Sequence, residues 1–505
     1  MGAAGLPTAY AQQAGGDAGS GIKPRGTIWN FTYENWRLPG GEDMGMAGAN
    51  LLYDFGEHLR LGIGTYGAVR GERGGFITLG LAGQLHQQLS DSWAGHLGFY
   101  VGAGGGRSDT DTKLQGGGLM LRGDLGLDYE THGYGNFGLG VSYVQFPSGS
   151  IHSWQPYISY SYPFYSLLSS GWGSGSGGGT GTASLPQGNS EFGLVLRDYR
   201  IAASSTRDDG TPQHRNMQLL GAQWLSYLDD RWFLKLEAEG AMGGESNGYM
   251  QILAGGGYRL PLSSNVAVKL YGAAGPAGGG GVDTGGGLLL EGGAALQVGL
   301  TKRTSLDLSV GALRSPSASF KAYSVGLSLN YRFGLPRVSS SDTVSWSSLG
   351  DYEPSKLRLR LTNQTYFKGA SNWRNHSVDQ PVSNLGAQLD YFVTPRWFLT
   401  GQGLAAYAGD AGSYMTGLVG VGTHLPLSQR WFLEGEALVG AAGGGGLAVG
   451  GGLIGQVNAS LGYRISPSLS LMATVGHADA LHNGDFRAYV AGLSLAYRFD
   501  SFTAK

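Results

Sequence analysis

Residues Gly440–Leu453 read GAAGGGGLAVGGGL and run directly into IGQVNASLGYRI over Ile454–Ile465. A phosphate-cradling loop needs a strand before it and a helix after it, and a P-loop closes on Gly-Lys-Ser/Thr. Neither condition holds. The downstream segment alternates instead: Val457, Ala459, Leu461 and Tyr463 share one face, and Gln456, Asn458, Ser460 and Arg464 share the other. Period two is the signature of a strand. The glycine run therefore reads as a hairpin between two strands, where glycine permits φ > 0 and close strand approach.

The composition fits a wall of strands. The chain has 505 residues, of which 93 are Gly and none is Cys. Charged residues are 14%, against about 25% in a typical soluble domain. A net charge of −2 gives no electrostatic case for nucleic acid. Without Cys there are no disulfides, thiolate metal sites or c-type haem attachments. No run of about eighteen apolar residues marks a transmembrane helix. Near the N-terminus, Ala9-Tyr10-Ala11 is an A-x-A cleavage pattern, so residues 1–25 read as a signal-peptide remnant or a disordered N-terminus.

The pattern repeats. GAQWLSYLDDRWFL from Gly221 recurs as GAQLDYFVTPRWFL from Gly386, 165 residues on. RLPLSS (Arg259) and HLPLSQ (His424) keep that offset, as do GGGGVDTGGGL (Gly278) and GGGGLAVGGGL (Gly443). A fainter copy carries GANLLYDFGEHLRL from Gly48 and GAGGGRSDTDTKLQGGGL from Gly102. The reading is three units, 26–164, 191–333 and 356–499, joined by a Gly/Ser linker at 165–190 and a second linker at 334–355, with a tail at 500–505. Gly/Ser-rich composition makes the first linker a flexible tether.

The third unit resolves into eight strands: Lys356–Phe367, Leu385–Phe392, Trp397–Ala408, Thr416–His424, Trp431–Ala442, Leu453–Ile465, Leu469–Ala478 and Ala488–Phe499. Each approaches the roughly 9–11 residues that a tilted strand needs to cross a bilayer. Tight gaps (VTPR, PLSQ, SPS) alternate with longer ones. One face of each strand is apolar and the other polar. Because Arg or Lys facing lipid costs about 2–4 kcal/mol at the midplane, the polar face is assigned to the interior. That makes Lys235, Glu237, Glu239, Arg358, Arg360, Glu434, Glu436, Gln456, Asn458, Arg464 and Arg498 lumen-lining. Trp232, Trp397, Trp431, Tyr331, Tyr463 and Tyr497 fall at strand ends beside the tight turns, where an interfacial aromatic girdle is expected.

Each unit ends on alternating apolar residues and then Tyr-x-Phe, as in GLSLAYRF; the first departs with YSYPF, and DSFTAK follows the last Phe. In this the chain resembles Gram-negative outer-membrane β-barrels, porin-like as a class. The resemblance implies an all-β, antiparallel up-and-down transmembrane barrel in the outer membrane of a Gram-negative bacterium, with tight turns periplasmic and longer loops outside. Small inward residues such as Gly293, Ala295, Gly492, Ser494 and Ala496 suit an open lumen better than a narrow filled one. The expectation is one wide barrel of about 24 strands, with three linked eight-strand barrels as the alternative.

Such a barrel would be a pore for passive passage of small hydrophilic solutes or for export of a polymer, weakly ion-selective because its lining carries both signs. The alternative is a structural or anchoring barrel in a larger envelope complex. Its partners would be outer-membrane lipid and a periplasmic or envelope protein met through the linkers. A lipid hydrolase or protease would have to use His376, Ser377 and Asp379 in one loop, or His477 and Asp479 in another; the aligned second-unit loop has His214 but no equivalent Ser. No enzyme is expected, nor any cofactor or catalytic or metal residue. Asp283, between two glycine runs, resembles a single copy of a Ca²⁺-binding Gly/Asp repeat.

Overall fold

A computed structural model describes residues 22–106, 114–131, 133–172, 185–338, 343–374 and 379–505. The Ala9–Ala11 pattern, His376 and Ser377 lie outside these residues. The first unit forms β1 (Arg25–Arg37), β2 (Asp43–Asp54), β3 (Leu59–Arg70), β4 (Ile77–Gln88), β5 (Trp93–Gly105), β6 (Leu119–Thr131), β7 (Gly135–Gln145) and β8 (His152–Ser166). After a short β9 (Leu168–Ser170), the second forms β10 (Gln187–Ile201), β11 (Asn216–Tyr227), β12 (Trp232–Gly243), β13 (Met250–Pro261), β14 (Val266–Gly278), β15 (Leu288–Gly299), β16 (Thr304–Arg314) and β17 (Lys321–Pro336). The third forms β18 (Tyr352–Lys368), β19 (Val382–Phe392), β20 (Trp397–Ala408), β21 (Met415–Pro426), β22 (Trp431–Gly443), β23 (Leu453–Arg464), β24 (Leu469–Ala480) and β25 (Arg487–Ala504).

The architecture is all-β, antiparallel and up-and-down, built of three tandem eight-strand units. Each unit closes on itself. β1 pairs with β8 from Arg25↔Ser166 to Glu34↔Tyr157. β10 pairs with β17 from Gln187↔Pro336 to Ile201↔Ala322, and β18 with β25 from Tyr352↔Ala504 to Lys368↔Ala488. The single wide barrel is therefore replaced by three linked eight-strand barrels. The small inward residues that suggested an open lumen make room for large neighbours instead. Ala496 packs with Phe432 and Met472, and a Cβ at Gly293 would lie 2.6 Å from the Tyr271 hydroxyl.

The burial pattern is that of a barrel in lipid. Val457 is 56% exposed and its neighbour Asn458 is 6% exposed. A soluble sandwich would show the reverse. At the tight turns, a side-chain oxygen at the first turn position accepts two backbone amides. Asp229 takes those of Arg231 (2.7 Å) and Trp232 (2.6 Å), Thr394 those of Arg396 and Trp397, and Ser428 those of Arg430 and Trp431. The amides of Trp232 and Arg231 hold the Asp229 carboxyl below its ordinary range.

The glycine-rich hairpins join barrel to barrel. The β14–β15 hairpin of the second barrel sits on the β3–β4 hairpin of the first: the Gly74 amide donates to the Gly285 carbonyl (2.7 Å), and a Cβ on Gly75 would lie 2.3 Å from the Gly279 nitrogen. The β22–β23 hairpin, which carries the glycine run Gly440–Leu453, sits on β12–β13 of the second: Asn247 Nδ2 donates to the Gly450 carbonyl (2.6 Å), and a Cβ on Gly443 would meet the Gly248 nitrogen at 2.0 Å. The β5–β6 hairpin sits on β20–β21 of the third, where a Cβ on Gly412 would lie 2.5 Å from the Gly116 carbonyl oxygen. The same head-to-tail contact, made three times, closes a ring. Ile77, Ala103, Ala405 and Met415, with Met250 and Ile252 packed against them, form an apolar cluster contributed by all three barrels. Asp283 serves its own hairpin, accepting the Gly285 amide (3.1 Å).

On the turn side, Ile22, Leu167, Leu349, Tyr352 and Phe502 form one buried cluster, with Leu185, Val344 and Trp346 packed against it. It gathers the N-terminal segment, both linkers and the end of β25. The apolar residues among the described linker positions are thus packed, because Leu167, Leu349 and their apolar neighbours are islands that a reading by average composition dilutes. The C-terminal residues read as a tail continue β25 to Ala504.

Gly248, at φ 86°, has no room for a side chain. Gly248→Val is expected to cost about 1–3 kcal/mol from backbone strain alone, read as a lowered urea midpoint of the vesicle-embedded protein. Gly210→Ala, also at positive φ but with open space around it, separates strain from loss of the joint and is expected to be milder.

Candidate functional site: the barrel interiors

Each interior has two layers. The outer-loop half is an apolar plug: Trp36, Met44, Phe76, Met120, Phe146 and Ile151 in the first barrel; Ile201, Met217, Tyr249, Val282, Leu313 and Phe320 in the second; Tyr366, Trp373, Tyr414, Leu447, Val449 and Phe486 in the third. Beneath each plug, toward the tight turns, lies a network of paired charges.

In the third barrel, Arg358 makes a bidentate pair with Glu434 (2.6 and 2.8 Å) and bonds Asp390 (2.7 Å). Arg360 bonds Asp390 (2.7 and 2.9 Å) and Glu436. His424 Nδ1 lies 2.6 Å from Glu434, and Asn458 donates to Glu436. Gln456 donates to Gln364 and Asn458. In the second barrel, Arg197 reaches Glu291 (2.6 Å), Glu237 (2.9 Å) and Glu239 (3.1 Å), while Lys235 reaches Glu237 (2.7 Å). Lys269 bridges Glu191 (2.6 Å) and Asp307 (2.8 Å). In the first, Arg122 pairs with Glu34 (2.9 Å) and Asp124, and His96 bonds Asp128 (2.6 Å) and Tyr157 (2.7 Å).

All eleven residues assigned to a lumen lining face inward; ten are buried, and Arg464 is half-buried at the turn-side rim. What sequence reading missed is the partner set: Glu34, His96, Arg122, Asp124, Arg197, Lys269, Glu291 and Asp390. The signal was available, since each is a charge on the polar face of an alternating strand. The three barrels solve the charge problem with different pairs, however, so aligning the repeats does not reveal them.

The recurring RWFL stretch is explained by what each residue meets. Arg231 and Arg430 donate to the hydroxyls of Tyr258 and Tyr463 on the next strand (2.9 Å each). Trp232 and Trp431 stack edge-on against the same tyrosines, 4.9 Å between centroids. Phe233, Phe398 and Phe432 turn inward and lie over glycines, where a Cβ on Gly257, Gly422 or Gly462 would meet the ring at 2.4, 2.2 or 2.0 Å. Of the other residues assigned to a girdle from the sequence, Trp397 and Tyr331 are exposed, and Tyr497 is half-buried and stacked on Phe499.

Cavities of about 30 Å³ in the first barrel, beside His96 and Asp124, and about 20 Å³ in the second, beside Lys269 and Asp307, are large enough for a water or two each. Of the loop groups considered for catalysis, Asp379 pairs with Lys368, Asp479 with His477 and Arg487 (2.8 Å each), and His214 with Glu245 (2.7 Å).

No protein-family model and no curated protein matches the sequence. Among solved structures the chain is similar to a de novo designed transmembrane β-barrel, at 16% identity over 29% of this chain and 97% of that one, TM-score 0.20. It is also similar to the outer-membrane protein OpdK of Pseudomonas aeruginosa (9%, covering 94% and 98%, TM-score 0.22). A third is the siderophore receptor PirA of Acinetobacter baumannii (9%, covering 94% and 81%, TM-score 0.27). Likeness at these scores carries no functional argument, so function is read from the geometry of the barrel interiors.

Removing one partner of a buried ion pair costs about 3–5 kcal/mol. Glu434→Gln, which leaves Arg358 and His424 without their shared carboxylate, is expected to destabilise by that amount in urea unfolding followed by tryptophan fluorescence. Lys368→Gln, whose pair with Asp379 is solvent-exposed, should change stability by less than about 1 kcal/mol.

Proposed function

We propose that this chain is an outer-membrane β-barrel protein whose three barrels act as a rigid structural and anchoring assembly, with lumens that are solid rather than conducting. The observation that carries this reading is the stack of apolar plug over a buried network of ion pairs in every barrel. An eight-strand barrel is only wide enough for its own side chains, and here those side chains fill it. Lipid meets the outward Leu, Val and Phe surface, and the aromatic girdle fixes the depth of insertion. An envelope partner would meet the turn-side face, where the two linkers and the end of β25 gather.

The second reading, a pore for small hydrophilic solutes, has its foothold in the polar half of each interior. It requires the plug to move.

In planar bilayers, folded protein is expected to be silent or to show only brief small events. Trp373→Ala with Phe486→Ala, which thins the plug of the third barrel, is expected to add discrete conductance steps. Large, long-lived steps from the unaltered protein would reject the structural reading in favour of the pore.

A further inference from the structure

The turn-side mouth of the third barrel holds cations that the network does not neutralise. Arg498, on β25, is 5% exposed, and neither its Nε nor its Nη2 has a hydrogen-bond partner. Arg464, on β23, has an unpartnered Nε; its Nη1 donates to the Gln429 carbonyl (3.2 Å), and its Nη2 lies 3.3 Å from His424 Nε2. Both guanidiniums rest on one ring, 5.6 and 5.5 Å from the centroid of Phe432. Trp172, from the first linker, covers the site. Its ring is 4.6 Å from Arg498, it stacks edge-on against Phe392 (4.4 Å), and its Nε1 donates to the Leu357 carbonyl (3.1 Å).

The nearby carboxylates are committed. Glu434 serves Arg358 and His424, and Asp390 serves Arg358 and Arg360. Asp500 is buried two residues further along β25. Among the described residues, no carboxylate forms an ion pair with Arg464 or Arg498.

The second barrel shows what is missing. In the β10–β17 ladder Glu191 stands opposite Arg332, and Glu191 takes both Arg332 and Lys269. In the β18–β25 ladder the residue opposite Arg498 is Arg358. Glu434 holds the place of Lys269, 165 residues on. Met472, facing Ser494, holds that of Asp307, which faces Ser328. The signs of one pair are exchanged between the barrels while the arginine at the mouth stays, so Arg498 is left without its acid. A buried cation with unpartnered donors is costly unless an anion is supplied.

We propose that this mouth is a binding site for a phosphate-class oxyanion, held between Arg464 and Arg498 against Phe432 and beneath Trp172. A guanidinium fork matches the oxygens of phosphate in spacing and charge. The half-buried Arg464 opens the site toward the turn side, so the ligand can come from free phosphate or from a phospholipid headgroup.

The test is calorimetric titration of inorganic phosphate into full-length protein refolded in phosphate-free zwitterionic detergent, with a parallel titration of phosphatidylglycerol-doped micelles. Saturable binding is expected, weakened about tenfold or more in Arg498→Gln, with folding checked by heat-modifiable gel mobility. Met472→Asp, which puts an acid where the second barrel has Asp307 and beside the Phe432 ring under both guanidiniums, is expected to abolish binding in a folded protein. Saturation by inorganic phosphate identifies the free anion, and saturation only by the doped micelles identifies the headgroup. No saturable heat with either ligand up to about 10 mM, or equal binding by both folded variants, would overturn the proposal.

Discussion

The rest of the structure depends on where the eighth strand of each unit finds its hydrogen bonds. Lipid offers no partner to a free strand edge, so every edge must be paired. β8 returns to β1, β17 to β10 and β25 to β18, and this choice sets the bore. A ring of eight strands leaves an interior the width of its side chains. The interior must then be solid, and polar groups inside it must satisfy one another. The ion networks of Arg122, Arg197, Arg358 and Arg360 follow from closure; they do not cause it.

Closure also creates a second problem. Three separate cylinders in a membrane share no hydrophobic driving force to associate, because lipid tails are as apolar as their walls. The glycine knuckles answer it with close backbone contact. Where Gly75 meets Gly279 and Gly248 meets Gly443 and Gly444, any side chain would hold the backbones apart. The turn-side cluster around Leu349 and Phe502 fastens the other end. The tandem repeat therefore yields the equivalent of a cyclic trimer in one chain, with the hairpin of each barrel seated on its neighbour.

Much of this was legible in the sequence. Alternation in Leu453–Arg464 gave the strand and its inward face, the 165-residue offset pointed to repeated eight-strand units, and RWFL marked strand starts beside the tight turns. The closure was not legible. β8 can satisfy its amides equally on β1 or on β10, and no alternation pattern distinguishes the two. Small inward residues such as Ala496 and Gly293 misled, because a gap in one strand is visible but the Phe432 or Tyr271 that fills it comes from another. The glycine hairpins were assigned to turns correctly, but their role as joints depends on contacts between units far apart in the chain. The unpaired Arg498 emerges only when the second and third barrels are compared strand by strand.

The most direct measurement of the central claim exploits a chain with no native cysteine. Phe31 and Tyr160 face each other across the closing ladder of the first barrel. Phe31→Cys with Tyr160→Cys, oxidised after insertion into vesicles, should form an intramolecular disulfide in nearly every folded molecule. A single wide barrel would instead pair β1 with β25 and β8 with β10. Absence of that disulfide, together with efficient cross-linking of a cysteine pair placed across β8 and β10, would contradict the three-barrel account.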